Sequence, residues 1–427
     1  MSNWEKVRLG NVVIFNPRES ISKNQIAKKI SMEKLKPFTK FIDKYEMSIF
    51  KGGTKFRNGD TLLSRITPCL ENGKTSQVTI LDENEVGFGS TEFIVLREKE
   101  GITDKDYIYY LSISPIFRNI AIQSMVGSSG RQRVQQDALE NIEIFIPSLP
   151  EQKSIADTLS CFDNKIEINT RINKIIEEMA QTIFKSWFVD FEPFKDGEFE
   201  ESELGSIPNG WRTGTLGELI YDTLGGDWGK EISKGKFVEE VTCIRGADIP
   251  KIASGNKGKP ATRFILKKNL EKKQLSGGQI IIEISGGSPT QSTGRTALIT
   301  EELVAIYDKP LICTNFCRAL SLKKNSYSTF VYSMLQYLYK IDLFFQYENG
   351  TTGIKNLDTN NLFNKYQIVI PTDKIMGEYE EVFSTLIKSI YNNGSQSDKL
   401  STIRDTILPK LISGEIRVPI EGVELNG

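Results

Sequence analysis

Apolar positions along the chain fall into two textures. Over residues 1–147 short apolar runs alternate with turn-forming stretches. Segments 61–66, 92–96 and 142–146 predict strands, and 107–122, with Ile108, Leu111, Ile116 and Ile120 on one face, predicts a helix. The layout returns later: strands over 279–284, 316–322 and 366–370, and a helix near 329–339. Each half reads as a mixed α/β globule.

After each globule the period changes. Ser148-Leu149-Pro150-Glu151 has the form of a capping box with Pro in the first turn. Ile155, Leu159, Phe162, Ile166, Asn169, Asn173, Ile176, Ala180, Ile183 and Trp187 then step by four and three, the spacing of a coiled-coil seam. About 35 residues at 1.5 Å each give a helix of about 50 Å. The second helical stretch has a weaker seam, Ile375, Tyr379, Val382, Leu386, then Leu400, Ile403 and Ile407. Asn392–Ser395 is expected to interrupt it and Pro409 to limit its end. The simplest arrangement packs the two helices antiparallel, with a globule at each end. The alternative folds each helix back onto its own globule. Asn169 and Asn173 either fix register within the seam or rotate outward while Ile168, Ile172 and Ile175 replace them.

The repeat extends to individual residues. Trp4 and Leu9-Gly10 return as Trp211 and Leu216-Gly217; Asn72-Gly73-Lys74-Thr75 as Thr293-Gly294-Arg295-Thr296; Gly127 and Gly130 as Gly350 and Gly353; Ile144–Pro147 as Ile368–Pro371. The offset drifts from 207 to 224, far above the roughly 20–50 residues of a solenoid repeat, so a whole domain is duplicated. The expected domains are 1–147, a helical spacer at 148–190, an exposed acidic linker at 191–206, 207–371, and a second spacer with its tail at 372–427.

Composition mainly excludes chemistry. With 427 residues, each half can hold its own core. The absence of His removes the commonest general base and metal ligand. Five scattered Cys argue against a disulfide framework, and no metal is expected. No long apolar run or leader-like start appears, so a cytoplasmic protein without a membrane partner is expected. Gly73-Lys74-Thr75 resembles the end of a phosphate-binding loop, but Pro68 stands where that loop needs Gly. No catalytic centre is expected.

Binding signals are local, because the net charge is −1. Residues 21–57 carry ten Lys or Arg against three acids, and 251–273 carry eight against Glu271 alone. Such patches supply phosphate neutralisation. Two Gly-rich loops recur, 68–74 matching 288–295 and 127–133 matching 349–356, with side chains suited to base edges. The candidate DNA-binding residues are Lys55, Arg57, Asn72, Lys74, Arg131, Gln132 and Arg133 in the first copy. In the second they are Lys257, Lys259, Arg263, Arg295, Thr351, Thr352, Lys355 and Asn356.

Four motifs in order resemble a known family: Ile146–Ile155, containing Pro150-Glu151-Gln152; the helix end Ile183–Phe191; Ile207–Trp211 with Leu216-Gly217; and Leu408–Ile416. Together they look like the specificity subunit of a Type I restriction-modification system. The resemblance implies two duplicated target-recognition domains separated by long antiparallel coiled-coil-like helices in pseudo-twofold array. Each domain would read one half of an asymmetric bipartite site in double-stranded DNA. It also implies a non-catalytic chain that assembles with two modification (methyltransferase) subunits and with restriction/translocase subunits. S-adenosylmethionine, ATP and Mg would then belong to those partners. The rival is a two-headed coiled-coil adaptor joining protein partners without DNA.

Overall fold

A computed structural model describes residues 4–128, 130–350 and 354–419. It divides into two compact units, Met1–Glu167 with Lys399–Gly427, and Ile168–Asp398.

The first unit is built on a four-stranded antiparallel sheet. Its strands are β1 (Val13–Phe15), β2 (Thr61–Ser64), β3 (Thr75–Gln77) and β4 (Phe93–Glu98), in the order β1-β4-β2-β3. β2 and β3 are buried on both faces and read as continuous runs for that reason. The expected 107–122 helix is two: α1 (Lys105–Ile113) and α2 (Pro115–Gln123). Ser114 separates them because it caps the second and Pro115 supplies its first turn. Glu5–Arg8 pairs antiparallel with Glu143–Ile146, clasping the globule's entry to its exit.

Helix α3 (Leu149–Phe188) follows, and its 40 residues exceed the expected 35. Glu151 does not close a capping box. It accepts from the Trp4 indole at 3.1 Å and from Arg417 at 2.8 Å. Gln152 bridges Asp104 N–H and the carbonyls of Ile102 and Pro147, all at 3.0 Å. The Glu-Gln pair thus pins helix to globule.

The second unit repeats the sheet with β5 (Ile220–Gly225), β6 (Ile280–Glu283), β7 (Thr296–Leu298) and β8 (Cys317–Leu322), in the order β5-β8-β6-β7. Arg212–Thr215 pairs antiparallel with Gln367–Ile370, the same clasp. Helix α4 (Tyr327–Lys340) covers the sheet, and α5 (Asp373–Ile412) follows. The supposed linker is structured as well: a turn at Glu192–Phe194 and a hairpin of Phe199–Ser202 with Gly205–Pro208.

Within each unit the segments of α3 and α5 run antiparallel and also lie on the globule. In the first, Ile155 and Leu159 share a core with Leu408, Leu411 and Ile412. The buried Asp163 pairs with Arg404 and accepts from Tyr110 at 2.7 Å. In the second, Phe188 packs on Phe330 and Tyr379 with ring centroids 5.0 and 4.9 Å apart.

The expected break at 392–395 is absent: α5 runs unbroken through it and through Pro409 to Ile412. Polar partners replace the missing apolar seam. Asn169 donates to the Asn393 carbonyl at 3.2 Å and to Gln396 at 2.8 Å. Asn393 donates to Asn173 at 2.9 Å. Asn169 and Asn173 are buried, while Ile168, Ile172 and Ile175 are exposed. Of the other seam candidates, Phe162, Ile166, Ile176, Ile183, Trp187, Leu386, Leu400 and Ile407 are half-buried, whereas Ile403 is 46% exposed. Ile155, Leu159, Ala180 and Tyr379 of the seam are buried, but so are Phe184, Phe188, Phe383, Ile387, Arg404 and Leu408, which lie off the count. A straight helix repeats every 3.6 residues, so a strict 3.5 count walks off the buried stripe.

Candidate nucleic-acid interface

In each copy the two Gly-rich loops meet at one end of the four-stranded sheet. In the first, Thr67 N–H donates to the Gln132 carbonyl at 3.0 Å and Val134 N–H to the Arg65 carbonyl at 2.8 Å. In the second, Thr293 N–H donates to the Glu348 carboxylate at 2.6 Å, and Ser285-Gly286 pairs with Lys355-Asn356. Corresponding backbone bonds anchor both ends: Arg65 N–H to Glu92 O at 2.9 Å, and Ile284 N–H to Phe316 O at 2.8 Å. Gly73 and Gly294 adopt φ of +76° and +119°. A Cβ there would stand 2.6 Å from the ring of Phe38 or 2.2 Å from that of Phe344, so each loop bends against an aromatic ring that admits only Gly.

Most candidate cations are engaged within the fold, and four of them, Arg133, Arg295, Lys355 and Lys74, brace these loops. Arg133 holds Glu92 through both oxygens at 2.7–3.1 Å. Arg295 forks onto Glu283 at 2.6 and 2.8 Å. Lys355 meets Glu348 at 2.7 Å. Arg133 keeps the Glu92 carboxyl below its ordinary pKa. Burial pushes Glu348 up, but Lys355 and Thr293 N–H outweigh it and hold it low. Lys74 donates to the Met32 carbonyl at 3.0 Å, Lys55 to the Glu19 carbonyl at 2.9 Å, and Arg57 pairs with Glu19 at 2.8 Å. Arg263 stacks 3.8 Å from the Trp228 ring. Lys257 lies over Tyr307, and the carbonyl of the exposed Lys259 accepts from Arg245. Asn356 accepts from Ser285.

Asn72 and Arg131 are exposed, and their side chains have no partner among the described residues. Gln132 is half-buried. Thr351 and Thr352 lie outside the described residues. The sequence reading missed the anchoring acids Glu92, Glu283 and Glu348. Only their position beside strand ends marked them.

The basic stretches differ. In the first, Lys28 is buried between Asp82 and Glu85, Lys40 pairs with Asp106, Lys34 with Glu46 and Lys36 with Asp43. In the second, Lys267, Lys268 and Lys272 remain exposed on a short helix, Lys267–Lys273. Among the described residues, no group of acids or cysteines is arranged to hold a metal, and no helix is long and apolar enough to cross a membrane.

The fold and its paired loop clusters define a duplicated protein in which each unit carries a sheet-based globule and segments of two long helices. Residues 1–178 match the family model described as Type I restriction modification DNA specificity domain. The chain is 31% identical over 327 residues to the Type I restriction enzyme MjaIX specificity subunit of Methanocaldococcus jannaschii, covering 75% of this chain and 71% of the relative. It is 24% identical to the HindI specificity subunit of Haemophilus influenzae, covering 84% and 87%. Its fold resembles the crystal structure of the Type I restriction-modification S subunit from M. genitalium, with 16% identity, 96% of each chain covered and a TM-score of 0.55. The chain belongs to the specificity subunits of Type I restriction enzymes, which are non-catalytic.

Proposed function

We propose that this chain reads an asymmetric, bipartite site in double-stranded DNA, one globule per half-site. In this reading it docks two modification subunits, which bring S-adenosylmethionine and adenine N6 methylation, and restriction/translocase subunits. The observation that carries the reading is the repeated loop pair. The same two loops stand at the same end of the same sheet in both copies, on matched backbone anchors, with different exposed side chains. Duplicated frames with diverged tips suit two different half-sites. Among the candidates, Asn72 and Arg131 are free to reach bases, since phosphate contacts position a protein while base contacts specify. Lys257, Lys259, Lys267 and Lys268 suit the phosphate backbone.

The test is a swap of residues 1–147 for those of another specificity subunit, followed by mapping of methylated adenines. One half of the target is expected to change and the other to persist. A change in both halves overturns the two-reader scheme. Affinity must also fall steeply with salt; salt-independent binding favours an adaptor.

A further inference from the structure

In each copy the edge strand of the four-stranded sheet runs on into a third segment, outside both Gly-rich loops; in the second copy it leaves at the end where the loops meet. In the first copy β1 ends at Phe15 and continues as Asn16-Pro17-Arg18-Glu19. Asn16 has φ of +46°, a left-handed conformation sparsely populated by non-Gly residues. Three bonds hold it: Asn16 N–H to Val95 O at 2.7 Å, Val95 N–H to Asn16 Oδ1 at 2.9 Å, and Asn16 Nδ2 to Gln136 Oε1 at 2.7 Å. Glu19 is held by Arg57 at 2.8 Å and Arg97 at 2.7 Å, and Arg97 is itself forked onto Asp60 at 2.6 and 2.7 Å. Between these fixed points Arg18 is exposed and has no partner among the described residues.

In the second copy β5 ends at Gly225 and continues as Gly226-Asp227-Trp228-Gly229-Lys230. This segment is pinned too. Asp227 N–H donates to Cys313 O at 2.9 Å, and Lys273 Nζ to Gly226 O at 2.7 Å. The Asp227 carboxylate accepts from Gly229 N–H at 3.0 Å and from Asn269 at 2.7 Å. Lys230 exchanges both backbone bonds with Phe264 at 2.9 Å. The side chain presented is Trp228, 39% exposed and stiffened by the Arg263 guanidinium 3.8 Å from its ring.

We propose that these two segments are third reading elements, in which Arg18 contacts a base of the first half-site and Trp228 packs against base edges of the second. The inference rests on the DNA-reading function above. Arg recognises guanine through paired bonds to N7 and O6, which demands a fixed orientation. A backbone tied at both ends supplies it, with little left to order on binding. Trp228 offers a rigid apolar plane to a thymine methyl. The strained backbone at Asn16 fits such a role, because strain that persists is held in place by its surroundings.

The experiment uses the complex of the full chain with its modification subunits, purified on a tagged chain and incubated with duplex libraries randomised over both half-sites. Bound duplexes are sequenced. Arg18→Ala, Arg18→Lys and Trp228→Ala are compared with wild type and with Lys153→Ala, an exposed helix position. Both Arg18 variants should lose preference at one base pair or more of one half-site, by about tenfold, the size of a lost bidentate base contact. The other half-site should be untouched. Trp228→Ala should flatten the half-site that the Arg18 variants spare. A uniform weakening by Arg18→Ala that Arg18→Lys restores would mean phosphate contact alone and overturn base reading, as would unchanged preferences. If wild type enriches no sequence, the DNA-reading function falls and this proposal with it.

Discussion

Gly394 sits in the middle of α5, where glycine is ordinarily a weakness. A Cβ at 394 would stand 2.1 Å from the Gly255 carbonyl oxygen and 2.3 Å from its carbon. Both are backbone atoms, so relief requires the 254–256 segment to retreat by about 1 Å to reach ordinary contact. Overpacking of this kind costs about 1–3 kcal/mol. The retreat also strains the Asn173 bond to Ser254 O, 3.1 Å long and worth about 1 kcal/mol. Against this stands the helix preference for Ala, about 1 kcal/mol. Gly394→Ala should therefore destabilise by about 1–3 kcal/mol. Gly377 is the internal control: it lies in the same helix, and a Cβ there meets nothing within 4 Å. Gly377→Ala should stabilise by about 1 kcal/mol. For a unit of this size each kcal/mol moves the midpoint by about 2–4 °C. Scanning calorimetry of the full chain should show the two variants moving in opposite directions. If Gly394→Ala raises the midpoint as Gly377→Ala does, the close approach of α5 to Gly255 is wrong.

Three further expectations rest on the loop cations and on the buried Asp163–Arg404 pair. Arg131→Ala should relax sequence preference without shifting the melting midpoint, whereas Arg133→Ala, by freeing Glu92, should increase deuterium uptake across 126–134; equal effects on specificity would refute the division between reader and brace. Arg404→Met leaves Asp163 buried without its cation and should cost about 3–5 kcal/mol, while Asp163→Leu with Arg404→Met should recover most of it; a denaturant melt in which the double variant is the worse would refute this. Arg133 depresses the Glu92 pKa in the folded state, so this pairing stabilises fully above the unfolded value of about 4.3 and is lost as pH falls through the folded one. Exchange at Val126 and Arg133, corrected for intrinsic rate, should rise in wild type as pH falls below the unfolded carboxylate value, and Glu92→Gln should abolish that pH step.

The frame of the fold was legible because its signals are local. Continuous apolar runs marked the central strands, and Trp4 and Trp211 marked the entry to each globule. What escaped depends on partners distant in sequence. Glu92 and Arg133 are 41 residues apart, so nothing near Arg133 announced that it was engaged. Asn393 and Gly394 read as a helix break because their compensation, from Asn169, Asn173 and Gly255, lies elsewhere in the chain. Ile403 was placed in the seam by heptad counting, yet Arg404, a poor seam residue by composition, is the buried one.

The first compact unit also has a history in synthesis. It draws on residues up to Glu167 and again from Lys399 onward. Between them the ribosome must make about 230 residues, which at roughly 5–20 residues per second takes some 12–46 s. Through that interval Ile155 and Leu159 have emerged, but the strip of Leu408, Leu411 and Ile412 that shares their core has not. A newborn chain therefore carries an uncovered apolar helix face for tens of seconds. Slow synthesis or a stall beyond residue 167 is a window for chaperone capture or for pairing with a neighbouring nascent chain.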